Sequence, residues 1–442
     1  MNNKFAINLV KRTAISTGVT LVEVLFAMVI VLVGLLGVAA LIPIAGRQAN
    51  DSYIITHASA EGQNWYRNLL FRNLKEPQPN QPWLVPDDVT TGSFVPASNP
   101  LALDANEGYC IDPMFWSGQG VSYTGGIGIY DSTVTGAFRR AYFPYFTANY
   151  SPFSLPISND ASRPVNVSWA FQPRLHRVTF PSAAGGLLPL PAKVAESLFT
   201  TSDDLVVPRD EKDESLNGIL GFFNNSVGGI GQVASQRNLS WVATLVPMEI
   251  DSATRPDSYT LSIVVFNRRN RRFEAPGTPI PYEAPPDNER TALVIVPAPT
   301  SGSALPNSNY SFSGGNGFSA GLIGSEYGDR KVAAGAWVML SRQFTFPGSG
   351  NVRHIHKWFR VVAANSKVST PPASIQNGSG GYDDPFTGAS IPANTLWYQQ
   401  VNLMGPDWIF QIPVSGTAPL EPTVATIMPD VVAVYERVIQ VR

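Results

Sequence analysis

The chain has 442 residues, enough for two or three domains with sizeable hydrophobic cores. Its net charge of −2 argues against a general nucleic-acid-binding surface, and its single cysteine, Cys110, excludes an intrachain disulfide and a Cys-x-x-Cys metal site. Only 14% of the residues are charged, while glycine and proline number 37 each. This composition favours short strands and long irregular connections over helices.

The N-terminal part of the chain has the charge pattern of a membrane protein. The first 17 residues contain no acidic side chain, and their charged residues are Lys4, Lys11 and Arg12. Such a flank is typical of the cytoplasmic side of a membrane helix. The uncharged segment from Val24 to Gly46 would reach roughly 34 Å as a helix, enough to cross a hydrocarbon core of about 30 Å. One interpretation is therefore a simple membrane anchor.

The residues around Gly18 support a more specific interpretation. After the basic leader, the sequence Gly18-Val19-Thr20-Leu21-Val22-Glu23 opens the hydrophobic segment. This arrangement resembles the start of the type IV prepilin family, and the resemblance covers about residues 1–75. In that family a membrane-embedded prepilin peptidase cuts after the glycine and methylates the new amino terminus. The resemblance therefore implies cleavage between Gly18 and Val19 and methylation of Val19, although phenylalanine or methionine is commoner at that position.

Glu23 is the charged residue that directly precedes the hydrophobic segment. A carboxylate costs about 2.5 to 3.5 kcal/mol at the centre of a membrane helix, so a partner is expected for it. Glu23 lies four residues after Val19 and on the same helical face. It can neutralise its own α-amino group or, as the resemblance implies, the amine of a neighbouring subunit during assembly. The alternative is an interfacial side chain that reaches the lipid headgroups.

Helix-weakening residues recur in the second half of the hydrophobic segment: Gly34, Gly37, Pro43 and Gly46. Proline removes a backbone donor and glycine has a low helix propensity, so we expect the helix to bend or loosen here. Further along, apolar or small residues recur at spacings of four, four, three and four: Ile54, Ala58, Gly62, Trp65 and Leu69. This stripe predicts one helix over residues 19–75, with a transmembrane half at about 24–46 and an amphipathic half that docks on a folded domain.

Beyond the helix, residues 76–236 form a loop- and aromatic-rich region, and residues 237–442 contain the clearer strand patterns. The segments 239–248 and 259–267 predict an antiparallel hairpin. Further strands are predicted at 291–296, 335–342, 356–363, 396–403 and 431–441. The expected fold is α+β: a long N-terminal helix packed on a large antiparallel β-domain that carries a loop-rich insertion.

Few patterns suggest a metal, a ligand or a reaction. His354 and His356 place two imidazoles on one face of a strand, and Asp383 and Asp384 lie in a glycine-rich loop; both are weak metal candidates, against solvated or strand-edge roles and a surface loop. The basic run 268–272 predicts a hairpin tip with edge-protecting charge, with contact to DNA or an acidic glycan as the alternative. No P-loop, GxSxG or HExxH pattern is present. We therefore expect neither catalysis nor a cofactor.

Together these patterns predict a structural subunit, a minor pilin or type II secretion pseudopilin. The expected partners are prepilin peptidase, other pilin-like subunits and the inner membrane, crossed by a single helix, with no nucleic acid. The expected location is the inner membrane, with the C-terminal domain outside the cytoplasm, and then the filament. The alternative is a membrane-tethered extracytoplasmic binding module or enzyme that does not polymerise.

Overall fold

The computed structural model describes residues 21–71 and a series of segments between residues 83 and 440. These segments are 83–86, 94–96, 108–114, 142–144, 173, 175–182, 190, 194–195, 199, 239–248, 258–267, 269, 289–296, 309–325, 332–345, 352–365, 369–372, 380–383, 390–411, 422–428 and 430–440. The chain divides into two compact units, Met1–Thr56 and His57–Arg442.

One long helix, α1, spans Leu21–Phe71 and contains 51 residues. It runs through Pro43 and the neighbouring glycines without a break in its helical assignment. Residues 19–20 and 72–75, the ends of the predicted helix, lie outside the described residues. The prediction of one long N-terminal helix is confirmed within these limits.

The described strands follow α1 in chain order. They are β1 (Leu84–Pro86), β2 (Phe94–Pro96), β3 (Gly108–Ile111), β4 (Tyr142–Phe143), β5 (Leu175–Val178), β6 (Leu239–Pro247), β7 (Ser258–Asn267), β8 (Arg290–Ile295), β9 (Asn309–Phe312), β10 (Phe318–Ser325), β11 (Trp337–Thr345), β12 (Val352–Ala364), β13 (Gly381–Asp383), β14 (Ser390–Pro392), β15 (Leu396–Met404), β16 (Trp408–Gln411), β17 (Thr423–Met428) and β18 (Val431–Gln440). Two 3-10 turns, Gly314–Asn316 and Ala393–Thr395, precede β10 and β15.

A six-stranded sheet has the strand order β18-β7-β6-β3-β5-β4. Strands β6 and β7 pair along their whole length with Leu239 opposite Asn267, which confirms the predicted antiparallel hairpin. Among the described strand pairs of this sheet, β3 with β5 alone is parallel. Strands β3, β4 and β5 come from the region predicted to be loop-rich, most of which lies outside the described residues.

Six further strands close into a barrel in the order β10-β15-β12-β11-β17-β8, and β8 completes it by pairing with both β17 and β10. Side chains alternate along each strand, so one set points into the barrel and the other points away from it. Val338, Leu340 and Phe359 belong to the interior core, whereas Met339 and Trp358 pack on a different cluster. The barrel core thus combines side chains of its own strands with Trp408 and Phe410 of β16.

The outer surface of the barrel packs against one face of the six-stranded sheet. Met339, Trp358 and Met428 from the barrel share a buried apolar cluster with sheet residues that include Val264 and Phe266. The sequence predicts a large antiparallel β-domain for the C-terminal strands without giving their partners: in the structure β6, β7 and β18 join the sheet, while most of the others form the barrel. Alternation identifies a strand but carries no information on its partner. The coarser prediction of an α+β fold with a large, mostly antiparallel region is confirmed.

A glutamate on the edge strand β18, Glu436, forms a hydrogen bond with the barrel strand β12. The Ser262 hydroxyl donates a hydrogen bond of 3.2 Å to Glu436 Oε1, and the backbone N–H of Trp358 also donates to this carboxylate. Loss of hydration nevertheless raises the pKa of Glu436 above its ordinary value of 4.5, against the hydrogen bonds and nearby Lys357. Desolvation likewise lowers the pKa of Lys357, despite Asp407 and Glu436. Dehydration thus outweighs the attraction between the two charges.

These shifts predict a pH dependence of stability. Because the pKa of Glu436 is higher in the folded state than in the unfolded chain, its ionisation destabilises the fold as pH rises from about 4.5 through the folded-state pKa. Because Glu436 is still exposed at the surface, the effect is small, but Glu436→Gln should remove this decline and slightly raise the melting temperature at neutral pH relative to the parent. Thermal unfolding of both proteins between about pH 4 and pH 8 checks this. Parallel pH profiles for the two proteins would contradict it.

Candidate functional site

The N-terminal part of α1 presents a long apolar surface that contains one charged residue. From Leu21 to Gly46, 26 residues contain Glu23 as their single charge, and none of the side chains described in this segment is buried. Leu21 is 77% exposed and Leu35 is 70% exposed. At about 1.5 Å per residue this segment is roughly 39 Å long, which exceeds a hydrocarbon core of about 30 Å. Within the described part of the chain, this one helix is long and apolar enough to cross a membrane.

Glu23 lies in the first described turn of the helix, and its side chain is exposed. If a helix begins near this point, its partial positive charge favours a carboxylate here. Gly18 and Val19, the predicted cleavage site and methylated terminus, lie outside the described residues. The predicted pairing of Glu23 with an α-amino group therefore stays a prediction.

The predicted bend residues Gly34, Gly37, Pro43 and Gly46 all lie within the continuous helix. A Cβ atom added at each of the three glycines would meet no other atom within 4 Å. No contact in the described part of the chain therefore requires glycine there, although glycine costs about 1 kcal/mol relative to alanine in a helix interior. The bend itself stays a prediction.

The C-terminal part of α1 docks on the six-stranded sheet through the predicted stripe. Ala58, Gly62, Trp65 and Leu69 are buried, and the exposed side of the same turns carries Gln63, Asn64 and Arg67. The ring of Trp65 stacks on that of Trp241 in β6, with their centroids 5.7 Å apart. The docking prediction from helical spacing is confirmed for these four residues.

Gly62 permits the closest approach in this interface. A Cβ atom at Gly62 would lie 2.2 Å from Cδ2 of Tyr435 in β18 and 2.3 Å from its Cε2. The ring of Tyr435 thus occupies the space that any other side chain would need. Gly62 is therefore the residue of the stripe at which a larger side chain forces a rearrangement.

The weak metal candidates do not come together as a site among the described residues. His354 and His356 lie on one side of β12 and are both buried, with ring centroids 6.4 Å apart. Nδ1 of His356 lies 2.8 Å from the Ser341 hydroxyl on β11. Searching the described segments finds no group of three histidine, cysteine or acidic residues placed to hold a metal. Asp383 ends β13, and Asp384 is not among the described residues.

A buried charge cluster is the feature that the sequence interpretation missed. Arg269 belongs to the basic run 268–272, and the prediction of an edge-protecting charge at a hairpin tip is wrong for this residue, which is buried. Its guanidinium donates to both carboxylate oxygens of Asp112, at 2.8 and 2.6 Å, and to Glu289 at 3.3 Å. Arg177 donates to Asp112 and, at 2.6 Å, to Glu289. These four side chains are buried, with exposures of 2% or less.

Burial and the nearby charges shift the pKa of Arg269 in this cluster and of Cys110 beside it. Burial alone would lower the pKa of Arg269, but the adjacent carboxylates of Asp112 and Glu289 raise it overall. Burial, followed by the nearby charge of Asp112, raises the pKa of the Cys110 thiol well above its ordinary value. Arg269 therefore keeps its positive charge, and the Cys110 thiol beside it stays neutral.

Comparison with known proteins gives no match: no family model, no curated protein and no solved structure shows significant similarity to this chain. The case for a function therefore depends on the residues and the geometry described above.

The docking geometry predicts that Gly62→Ala destabilises the domain. Overpacking against Tyr435 costs about 1 to 3 kcal/mol, which should outweigh the gain of up to about 1 kcal/mol in helix propensity. Gly37→Ala is the matched control, because the same change in the same helix meets no atom within 4 Å. Thermal unfolding of the full chain in detergent, followed by circular dichroism, should show a lower melting temperature for Gly62→Ala only. Equal stability of Gly62→Ala and the parent would contradict the docking geometry.

Proposed function

We propose that this protein is a pilin-like structural subunit, a minor pilin or pseudopilin, of a type IV pilus or type II secretion filament. The observation that carries the proposal is the division of α1 into two parts. Its N-terminal 26 residues expose apolar surface, while Ala58, Gly62, Trp65 and Leu69 are buried against the sheet. A helix with this division can transfer its free apolar part from a bilayer to contacts with similar helices while it stays attached to its own domain.

The leader sequence supports processing by prepilin peptidase. Gly18 offers a backbone without a side chain at the scissile bond, and the basic residues before it favour the cytoplasmic side of the membrane. Cleavage would give Val19 an α-amino group with a reference pKa of about 8, and methylation retains the positive charge. The new terminus would then stand four residues before Glu23.

Glu23 would be the residue that selects helical partners. In the bilayer or in a filament core, a carboxylate without a cationic partner is costly, so pairing with the terminal amine of a neighbouring subunit favours assembly. Gly34 and Gly37 would allow neighbouring helices to approach closely, because small residues let helix backbones pack. Together with Pro43 and Gly46, they would also let the helix bend in the filament.

The proposed location follows from the charge pattern. The leader stays in the cytoplasm, the single helix crosses the inner membrane, and the unit that begins at His57 lies outside the cytoplasm before and after incorporation. The proposed partners are prepilin peptidase and other pilin-like subunits. The proposed role is structural rather than catalytic.

Processing is tested by mass spectrometry of the protein purified from its native membrane. We expect a mature chain that begins at Val19 and carries one additional methyl group on its amino terminus. Gly18→Val should leave the leader attached, because a β-branched side chain would crowd the scissile bond. An intact leader in the parent protein, or a cut elsewhere, would rule out the prepilin assignment.

Assembly is tested by Glu23→Ala. Loss of one partner of a desolvated ion pair costs about 3 to 5 kcal/mol, so incorporation into sheared filaments should fall by more than about tenfold. Val22→Ala is the control, because it shortens an adjacent apolar side chain without changing the charge. The protein should remain in the membrane in both variants. Unchanged incorporation of Glu23→Ala would instead favour a tethered binding module that does not polymerise.

A further inference from the structure

The buried charge cluster lies where the chain passes from the sheet to the barrel. Asp112 directly follows β3, Arg177 lies within β5, and Arg269 stands two residues after the end of β7. Glu289 directly precedes β8, the first barrel strand in chain order. The cluster thus connects three places in the sheet with the entry to the barrel. Through Arg269 and Glu289, the cluster binds both ends of the segment that connects β7 to β8.

The cluster is continuous with the apolar interface between the sheet and the barrel. The guanidinium carbon of Arg177 lies 5.2 Å from the ring centroid of Phe143, and that of Arg269 lies 4.8 Å from the ring centroid of Phe266. Both phenylalanines belong to the apolar cluster shared with the barrel residues Met339 and Trp358. The charges therefore occupy one end of the same contact surface.

The two parts of this interface differ in the geometry that they impose. Apolar burial is non-directional, so the packing of Met339, Trp358 and Met428 on the sheet tolerates small rotations of one layer on the other. The forked guanidinium of Arg269 bonds both oxygens of Asp112 at once, and such bidentate pairs hold a fixed orientation. Arg177 and Arg269 each contact both carboxylates, so four groups must be in place together.

Stability alone does not account for such a cluster. Removing four charges from water is costly, and well-packed apolar residues of similar volume often give equal or greater stability. Two arginines face two carboxylates, and all four side chains are buried. Apolar residues would not reproduce the directional constraint that these hydrogen bonds place between the sheet and the barrel.

We propose that Asp112, Arg177, Arg269 and Glu289 form a clamp that fixes the orientation of the barrel on the sheet. The clamp is a positioning device of the fold and is independent of the function proposed above. It sets how the barrel is presented relative to the sheet on which the C-terminal part of α1 is docked.

The test measures orientation separately from stability. Spin labels are attached at Val438→Cys in β18 and Val362→Cys in β12, because these side chains are 56% and 45% exposed. Cys110 is buried and should remain unlabelled in the native protein. Pulsed electron paramagnetic resonance on the full chain in detergent then gives the distance distribution between the sheet and the barrel. The parent should show one narrow distance.

Arg269→Lys keeps the positive charge but loses the fork that binds both oxygens of Asp112. We expect this variant to unfold cooperatively but to show a broader or divided distance distribution. Arg360→Lys is the matched control, because Arg360 is exposed on β12 and lies outside the cluster. Its distance distribution should match that of the parent.

A second variant guards against a folding defect in the first. Asp112→Leu with Arg269→Met removes one charge of each sign and leaves the contact of 2.6 Å between Arg177 and Glu289. This variant should also fold and show a broadened distribution. A narrow, parent-like distance in either folded variant overturns the clamp. Failure of both variants to fold also overturns it, because the cluster would then be a source of stability rather than of orientation.

Discussion

The six-stranded sheet must bury both of its faces, and the arrangement of the domain depends on this requirement. In β6 every residue from Leu239 to Val246 is buried, so apolar side chains point to both sides of the strand. Trp241 meets the ring of Trp65 in α1, whereas its neighbour Val242 belongs to the cluster shared with the barrel. The C-terminal part of α1 thus covers one face of the sheet, and the barrel covers the other. Removal of either cover would expose a wide apolar surface to water.

The features that the sequence could predict are those that depend on residues close together in the chain. Helical spacing is local, so the buried stripe from Ala58 to Leu69 can be read directly from residue order. The hairpin of β6 and β7 is also local, because the two strands are joined by a short turn-forming segment. Strand alternation indicates where strands occur, including β11, β12 and β15. These predictions depend only on neighbouring residues, and the structure confirms the helix, the hairpin and these strands.

The barrel and the charge cluster depend on contacts between residues far apart in the chain. The partners Asp112 and Arg269 are separated by 157 positions. Among its basic neighbours, Arg269 has no local feature that distinguishes a buried side chain from a solvated one. Strands β10 and β17 contain glycine, serine, threonine and alanine in place of a strong alternating pattern, and both were missed. Gly321 in β10 is explained only by the barrel, where the ring of Tyr398 fills the space of a side chain.

The late positions of β17 and β18 in the chain have a consequence for the order of folding. These two strands follow all the other described strands in the chain, yet β17 lies between β11 and β8 in the barrel and β18 pairs with β7 in the sheet. A growing chain that has already produced every earlier strand therefore holds an open barrel with two unpaired edges and a sheet whose strand β7 lacks a neighbour. Such edges are sites of mispairing between chains. Both layers need this same short segment, so neither the barrel nor the sheet can be completed before β17 and β18 have been synthesised.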